Sequence, residues 1–556
     1  MNYTSFISNK KISINLFKVI LLILSLQLPI SCKKDILNTK PLAQLSDEVV
    51  WKDPALMDSY INNTYRVLYY GFRLDRALFL MSDESKARGG SQFSEINAGN
   101  ISPSSMAPLD YWVGSSSNPG YYKVITQCNV FLANVDGSDF DQTLKNRMIG
   151  EIKTLRAYSY FMLISFFGGV PLITKPVRLD DDFSLPRNSY DECMDFIITD
   201  LDDAIKLLPL SYDAKNQGRI TRGAAMSVKS RALLYAASPL NNPQNDLAKW
   251  QKASDAAKAV IDLNIYSLFP DYKSMFQASN AYNSEMIWIR PFNHVADLEY
   301  TDIELLFYPN GSNGYANICP LQNLVDQYET LNGKLPANDA TYDPQNPYVN
   351  RDPRFYATIL YDGAPFKGRE IEAFLPGGKD SKEGALSPWN ASESGYYPRK
   401  YIDESITNPS HTNTSDAAWP FVRFAEILLN YAEAEFNLGH EAVSKEYINK
   451  VRSRPGVNMP PVTESGDALL KRLQNEDFVE FAFESHRYFD VRRWKIAPAV
   501  LNVPARGMSI KKDVSGHKTF SVFNIEDRHF FTKNYLVPIP QSEIDKDPLL
   551  IQNPGY

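Results

Sequence analysis

Apolar positions in this chain recur mostly at helical spacing. In "RNSYDECMDFIITDLDDAIKLLP", Met194, Ile197, Ile198, Leu201, Ile205 and Leu208 are spaced by one, three and four, one face of an α-helix. Ser189 and Glu192 stand where a capping box opens such a helix, and Pro209 stops it. A second helix is predicted from near Thr221 to Ser238, with Ala224, Ala225, Ala232, Ala236 and Ala237, and a third over "WQKASDAAKAVIDLN", with Ala253, Ala256, Ala257 and Val260. That much alanine on apolar faces lets helices approach closely. Upstream, "EIKTLRAYSYFMLISFFGGVP" is helical through Leu155, Tyr158, Met162 and Phe166 and ends at Gly168. Late in the chain, "FAEILLNYAEAEFNLG" and "EAVSKEYINKVRSRPG" form two helices joined at Gly439, a unit close to the ~34 residues of a tetratricopeptide repeat. Such hairpins cannot bury their faces alone and stack into a solenoid.

Residues 83–120 and 291–420 break this pattern. They are rich in Gly, Pro, Asn, Ser and aromatics, as in "NISPSSMAPLDYWVGSSSNPGYY" and "FYPNGSNGYANICP". Loops of this length are functional or disordered, and the embedded aromatics argue against disorder.

The start of the chain has its own grammar. Lys10, Lys11 and Lys18 precede an apolar run, Val19 to Leu28, too short for the about 20 residues a bilayer span needs. A basic start, an apolar middle and small Ser31 before Cys32 predict a secretory signal over residues 1–31. Cys32 at the cut resembles the acylated cysteine of a bacterial lipobox, with Pro29 standing where Leu is usual. Each buried lipid methylene is worth about 0.8 kcal/mol, so two or more chains anchor firmly.

Removing that segment takes away three lysines and no acid, so the net charge of −7 becomes −10. A chain this acidic gains nothing from counterion release, which excludes nucleic acid as a partner. Cys128, Cys193 and Cys319 are odd in number and widely spaced, which argues against a disulfide framework. No nucleophile elbow, phosphate loop or zinc-protease motif occurs. Glu480 and Glu484 are spaced to share a helix face, but His486 falls out of phase with them, so no metal site is expected there. Glu480, Glu484, Arg487, Arg492 and Arg493 are instead expected to form charge pairs. A calcium ion at "LDDDF", 179–183, is not indicated, since the run lacks the spacing of an EF-hand loop.

Eight segments in order resemble the SusD/RagB family of nutrient-uptake outer-membrane lipoproteins. They are "SCKKDILNTKPLAQLSDEVVWKD", "LRAYSYFMLISFFGGVPLI", "DLDDAIKLLP", "GRITRGAAMSVKSRALLYAASPLNN", "VDQYETLNG", "NRDPRFYATIL", "EFAFESHRYFDVRRW" and "YLVPIPQSEIDKDPLLIQNPGY". "QNEDFVEF" departs from a more basic Arg-Glu-Arg-like stretch, which implies a weaker salt-bridge network at that place. The resemblance implies a mostly α, SusD-like fold: tetratricopeptide-like hairpins forming a solenoid scaffold, with long irregular loops and a few short β-hairpins. It divides the chain into a signal peptide, 1–31, an N-terminal region, 32–290, and a C-terminal region, 291–556, with a loop-rich insert at 291–420 and a final helical hairpin at 421–456. It implies a lipid-anchored protein facing outward from the cell's outer membrane. The implied partner is a SusC-like TonB-dependent transporter, to which the protein delivers a captured oligosaccharide without chemistry or cofactor.

Sugar rings have one apolar face and a rim of hydroxyls, so aromatic platforms with polar neighbours suit them. The candidates are Tyr111, Trp112 and Tyr122 in the first loop region, and Phe292, Tyr300, Tyr308 and Tyr315 in the second. Arg88, Asn97, Asn100, Asn313 and Asn317 are the polar candidates. Any one of these aromatics taken alone is better explained by packing its own loop; the set together reads as a binding surface. Two other readings stay open: a peptide ligand in place of a glycan, and a helical glycoside hydrolase using two of the 65 acids.

Overall fold

The computed structural model describes residues 47–90, 92–115, 119–178, 180–181, 184–294 and 301–556. The predicted signal segment, Cys32 and Tyr300 lie outside the described residues, as do Leu179, Asp182 and Phe183 of the acidic run. The chain divides into two units, residues 1–57 and 58–556. In the first, a short helix spans Asp47–Val50. Everything below concerns the second.

Among the described residues, the helices that carry the scaffold are α1 (Tyr121–Asn134), α2 (Gln142–Phe167), α3 (Tyr190–Leu207), α4 (Arg222–Ala237), α5 (Leu247–Ile261), α6 (Phe424–Asn437), α7 (Glu441–Arg452), α8 (Asp467–Glu480) and α9 (Arg487–Arg493). Helices α1 to α7 pack each on the next in chain order. The stack thus passes directly from α5 to α6, although residues 262–423 intervene.

The sequence signals act as expected at the helix ends. Ser189 accepts from the Glu192 N–H at 3.2 Å, and Glu192 accepts from the Ser189 N–H at 2.7 Å, closing the capping box of α3. Thr221 and Asp246 cap α4 and α5. Gly439, with φ +86°, turns the chain between α6 and α7. Small residues then set the spacing: Leu233, Leu234 and Ala237 of α4 share a core with Trp250 and Ala253 of α5 and Ala434 of α6. Cys128, Cys193 and Cys319 are buried and unpaired. The start of α2 was not visible in the pattern, since it lies nine residues before the stretch that reads as helical.

Among the described residues, ten short strands pair two by two, all antiparallel. β1 (Ser85–Ala87) pairs with β3 (Ile318–Pro320), and β2 (Met286–Arg290) with β8 (Trp419–Arg423). β4 (Ile359–Leu360) pairs with β7 (Tyr397–Pro398), and β5 (Pro365–Phe366) with β6 (Arg369–Glu370). The longest pair, β9 (Ala505–Lys512) and β10 (Lys518–Glu526), puts Ser521 opposite Ser509 and Phe523 opposite Gly507. These pairs staple the loop regions onto the helices without forming a closed sheet.

A buried charge network joins the inserted region to α8. Arg423 donates to Glu285, Glu480 and Glu484 at 2.7, 2.7 and 2.8 Å. Arg454 reaches Glu480 at 2.8 Å, Arg452 reaches Glu476 at 2.7 Å, and Arg354 reaches Glu480 at 2.9 Å. Burial alone would raise the Glu480 carboxyl, but Arg454, Arg423 and Arg354 hold it below the ordinary glutamate range. The weaker network implied by "QNEDFVEF" is therefore not what forms: arginines at 354, 423, 452 and 454 supply the positive charge that the local sequence lacks. Helix α8 ends at Glu480, so Glu484 sits in the turn beyond it and not one turn along the same helix.

Candidate functional site

A groove of about 820 Å³ opens between the first loop region, the insert and the β9–β10 hairpin. Its floor carries Ser509 and Lys511 of β9 and Ser521 and Phe523 of β10, and its walls carry Arg88 and Trp389. Trp389 is 73% exposed, the most exposed aromatic ring among the described residues. It lies in a single turn, Pro388–Asn390, entered through Ser387 at φ +40°. Phe523 adds a second exposed ring.

The wall is fixed by one guanidinium. Arg88 leaves β1 and donates through Nε to the carbonyl oxygen of Tyr315 and through Nη1 to that of Trp389, both at 2.8 Å. Its third arm reaches Oδ1 of Asn317 at 3.3 Å. Three loops distant in sequence therefore meet on a planar fork that only arginine supplies. Glu393, in the same wall, accepts from the Gly89 N–H at 2.7 Å and from the Lys86 ammonium. Asn310 donates to the carbonyl oxygen of Leu386 at 3.0 Å and so holds the approach to Trp389. Beyond Glu393, Gly395 lets the loop lie against β9. It has φ +81°, and a Cβ there would come within 2.5 Å of the Met508 carbonyl oxygen.

The residues expected from the sequence divide sharply. Arg88, Tyr315 and Asn317 meet beside the groove, with Asn313 close by in chain, exposed and donating to Asn408 at 3.2 Å. The first aromatic group lies in the core. Tyr111 stacks on Phe166 at 4.4 Å and donates to the Arg76 carbonyl oxygen at 3.0 Å. Trp112 is 4% exposed, wedged against Phe167 and Tyr122, and the Tyr122 hydroxyl donates to the Pro171 carbonyl oxygen at 2.8 Å. Phe292 packs on Tyr70 and Phe72. Tyr308 is fully buried, edge-on to Phe366, with its hydroxyl on the Asp403 carbonyl oxygen. Burial holds the phenols of Tyr111, Tyr122 and Tyr308 above their ordinary range, so all three are neutral donors. Asn97 donates to the Leu80 carbonyl oxygen and Asn100 to Glu95, both outside the groove. The structure thus gives these rings a packing role, and those beside the long helix α2, Tyr111 and Trp112, gain more from burial than from display.

Trp389 and the hairpin floor are not among the residues expected from the sequence. "SPWN" does place a tryptophan beside proline in a loop. In 505–526, "MSIKK" and "TFSVF" alternate at period two, which is the signal for strands.

Two families match this chain. One, described as the SusD family, matches residues 274–556; the other, described as starch-binding and associating with the outer membrane, matches residues 36–234. The chain belongs to the SusD family. A SusD-like protein of Bacteroides fragilis is 29% identical with a TM-score of 0.78, the match covering 93% of this chain and 100% of that one. A SusD-like carbohydrate binding protein of the same species is 26% identical with a TM-score of 0.78, covering 90% and 100%. A laminarin binding SusD-like protein, 24% identical, shares the fold with a TM-score of 0.67 over 90% of this chain and 99% of its own. SusD-like protein P25 of Formosa agariphila is 25% identical over 473 residues, 82% of this chain and 81% of its own length. The expected mostly α, SusD-like fold is therefore the fold observed. The SusD family is one of carbohydrate-binding proteins associated with the outer membrane. No helix among the described residues of this member is long and apolar enough to cross a membrane.

Proposed function

We propose that this SusD-family protein captures an oligosaccharide in the Trp389 groove and hands it to a TonB-dependent outer-membrane transporter. The observation that carries the reading is an exposed indole on a wall fixed by Arg88, above a floor of hydroxyls and a second exposed ring. Such a surface offers one apolar face to a sugar ring and donors and acceptors to its rim. The carbohydrate-binding and laminarin-binding relatives support a glycan as the ligand class.

The acids in the wall argue for binding without chemistry. Asp380 accepts from Arg369 on both oxygens, at 2.7 and 2.6 Å. Glu393 is held by Gly89 and Lys86. A hydrolase needs one carboxyl free to donate a proton and another free to attack or to activate water, and both of these are engaged.

Tethering through an acylated Cys32 would keep the protein at the cell surface and raise its effective concentration near the transporter. A separate trough of about 800 Å³ on α3, α4 and α5 supports a protein partner. Its apolar floor includes Met194, Ile198, Met226 and Leu233, and the pairs Lys249–Asp191 and Lys229–Asp202 bridge it.

Isothermal titration against laminarin, starch and a peptide library tests the ligand class. Saturable glycan binding without product, lost in Trp389→Ala, is the expected result; glycan turnover or peptide binding alone would overturn it. Co-purification of the acylated protein with a transporter from outer membranes, lost when Cys32 is replaced by alanine, tests the delivery role.

A further inference from the structure

Buried acids in this chain are generally matched by arginine. Asp477, in the last turn of α8, is not. It is 5% exposed, and among the described residues its carboxylate receives no hydrogen bond and no ion pair. It faces a second buried acid, Asp490 of α9. His486, immediately before α9, completes the group, with one ligand atom from each of the three side chains within 4.8 Å of the others. The imidazole lies flat on Phe481 at 4.5 Å, which fixes its plane.

Positive partners around this group are few. The charged neighbours of Asp477 are Asp490, Arg493, Glu433 and Glu426. Glu426 is matched by Arg231, which donates to both its oxygens. Arg487, near Asp490, is bound to both oxygens of Asp83 at 2.8 Å. Arg493 donates to both oxygens of Glu433, at 2.6 and 2.8 Å, and to Oδ1 of Asp490 at 2.8 Å. Three carboxyl groups, Asp477, Asp490 and Glu433, thus share one guanidinium where solvent scarcely reaches, an arrangement short of positive partners.

We propose that Asp477, His486 and Asp490 hold a divalent transition-metal ion, with zinc the best match, as a clasp between the end of α8 and the start of α9. One imidazole and two carboxylates are a donor set of intermediate hardness that suits zinc, whereas calcium and magnesium take oxygen throughout. Zinc bonds of ~2.1 Å place tetrahedral ligand atoms ~3.4 Å apart, so the side chains close on the ion by about an ångström. Three protein ligands leave one position for water. The clasp spans a strained link: Phe483 and Ser485, neither of them glycine, adopt φ of +62° and +68° between α8 and α9. This site is separate from the Trp389 groove, and glycan binding does not depend on it.

The test is a zinc titration of the full chain in detergent, made without a histidine tag and stripped with chelator. It is read by native mass spectrometry and by the melting temperature, with zinc chloride as the probe. About one equivalent should bind at micromolar free zinc, raising the melting temperature, and zinc absorption spectroscopy should report one imidazole with oxygen ligands. Asp477→Asn and His486→Gln should each weaken binding more than about tenfold, while Trp389→Ala leaves it unchanged. Absence of bound zinc in the unaltered chain overturns the proposal, and this readout needs no variant to fold. Equal affinity in all variants, a spectrum without imidazole, or a metal-free chain that Asp477→Asn stabilises while zinc fails to bind, as for two carboxyls sharing a proton, would each overturn it too.

Discussion

The guanidinium of Arg88 donates to the carbonyl oxygen of Trp389 at 2.8 Å, across 301 residues of sequence. An exposed ring on a loop is useful for recognition only if the loop is rigid before ligand arrives, because ordering it on binding costs affinity. Arg88 supplies that rigidity from β1, and the same side chain fixes Tyr315 and Asn317.

Trp389→Ala should therefore lower glycan affinity by about tenfold or more, about 1.4 kcal/mol, with no loss of thermal stability, since the ring packs on little. Arg88→Ala should lower affinity by a similar factor, since it keeps the indole but frees its loop. Arg88→Lys should not restore it, because an ammonium carries its donors on one nitrogen and cannot span the acceptors that Arg88 meets from three. Titration calorimetry beside a melting curve checks both.

Trp112→Ala should behave in the opposite way. Its ring is wedged between Phe167 and Tyr122, so truncation leaves a cavity and should cost about 3–5 kcal/mol of stability. Urea unfolding would register this as a lower midpoint. Glycan affinity measured in the folded fraction should be unchanged.

Breaking the α8 charge network should be severe. Glu480→Ala leaves Arg354, Arg423 and Arg454 facing a void, and removal of one partner of a buried ion pair costs about 3–5 kcal/mol. The Glu480 carboxyl titrates below its unfolded value, so its contribution is fully present above about pH 4.5 and is lost as pH falls below that. Acid unfolding followed by circular dichroism should begin at higher pH in Glu480→Gln than in the unaltered chain.

Glu84 carries the reverse sign. Burial pushes its carboxyl up to about 8, and it accepts from the Phe483 N–H at 2.9 Å and the Ser82 hydroxyl at 2.8 Å. The folded state retains a proton that the unfolded chain releases near pH 4.5. Its contribution to stability therefore falls as pH rises from about 4.5 to 8 and is level above that. Melting curves across this range should lose less stability in Glu84→Gln than in the unaltered chain.

The helices were legible because their signals are local. Ser189 with Glu192, the alanines of α4 and α5, and Gly439 act within a few residues of where they stand. The groove was legible only in part, and the reason is physical. Tyr111 and Trp389 are both aromatic residues in Gly- and Ser-rich loops. What separates them is whether a helix comes to lie over the ring: Phe166 of α2 covers Tyr111, and no helix among the described residues covers Trp389. The charge network shows the same limit, since Arg354 and Arg423 reach Glu480 from 126 and 57 residues away. A local reading of "QNEDFVEF" sees only missing positive charge.

The pairing of β2 with β8 brings Arg290 beside Trp419, so the long excursion between them begins and ends at neighbouring points. Such a closed base makes the excursion exchangeable. Evolution, or an engineer, could vary the part of the groove that this excursion supplies, around Trp389, while the stacked helices beneath keep their order. The contacts to preserve would be the β2–β8 rungs, the β1–β3 pair and the arginines at 354 and 423 that meet Glu480.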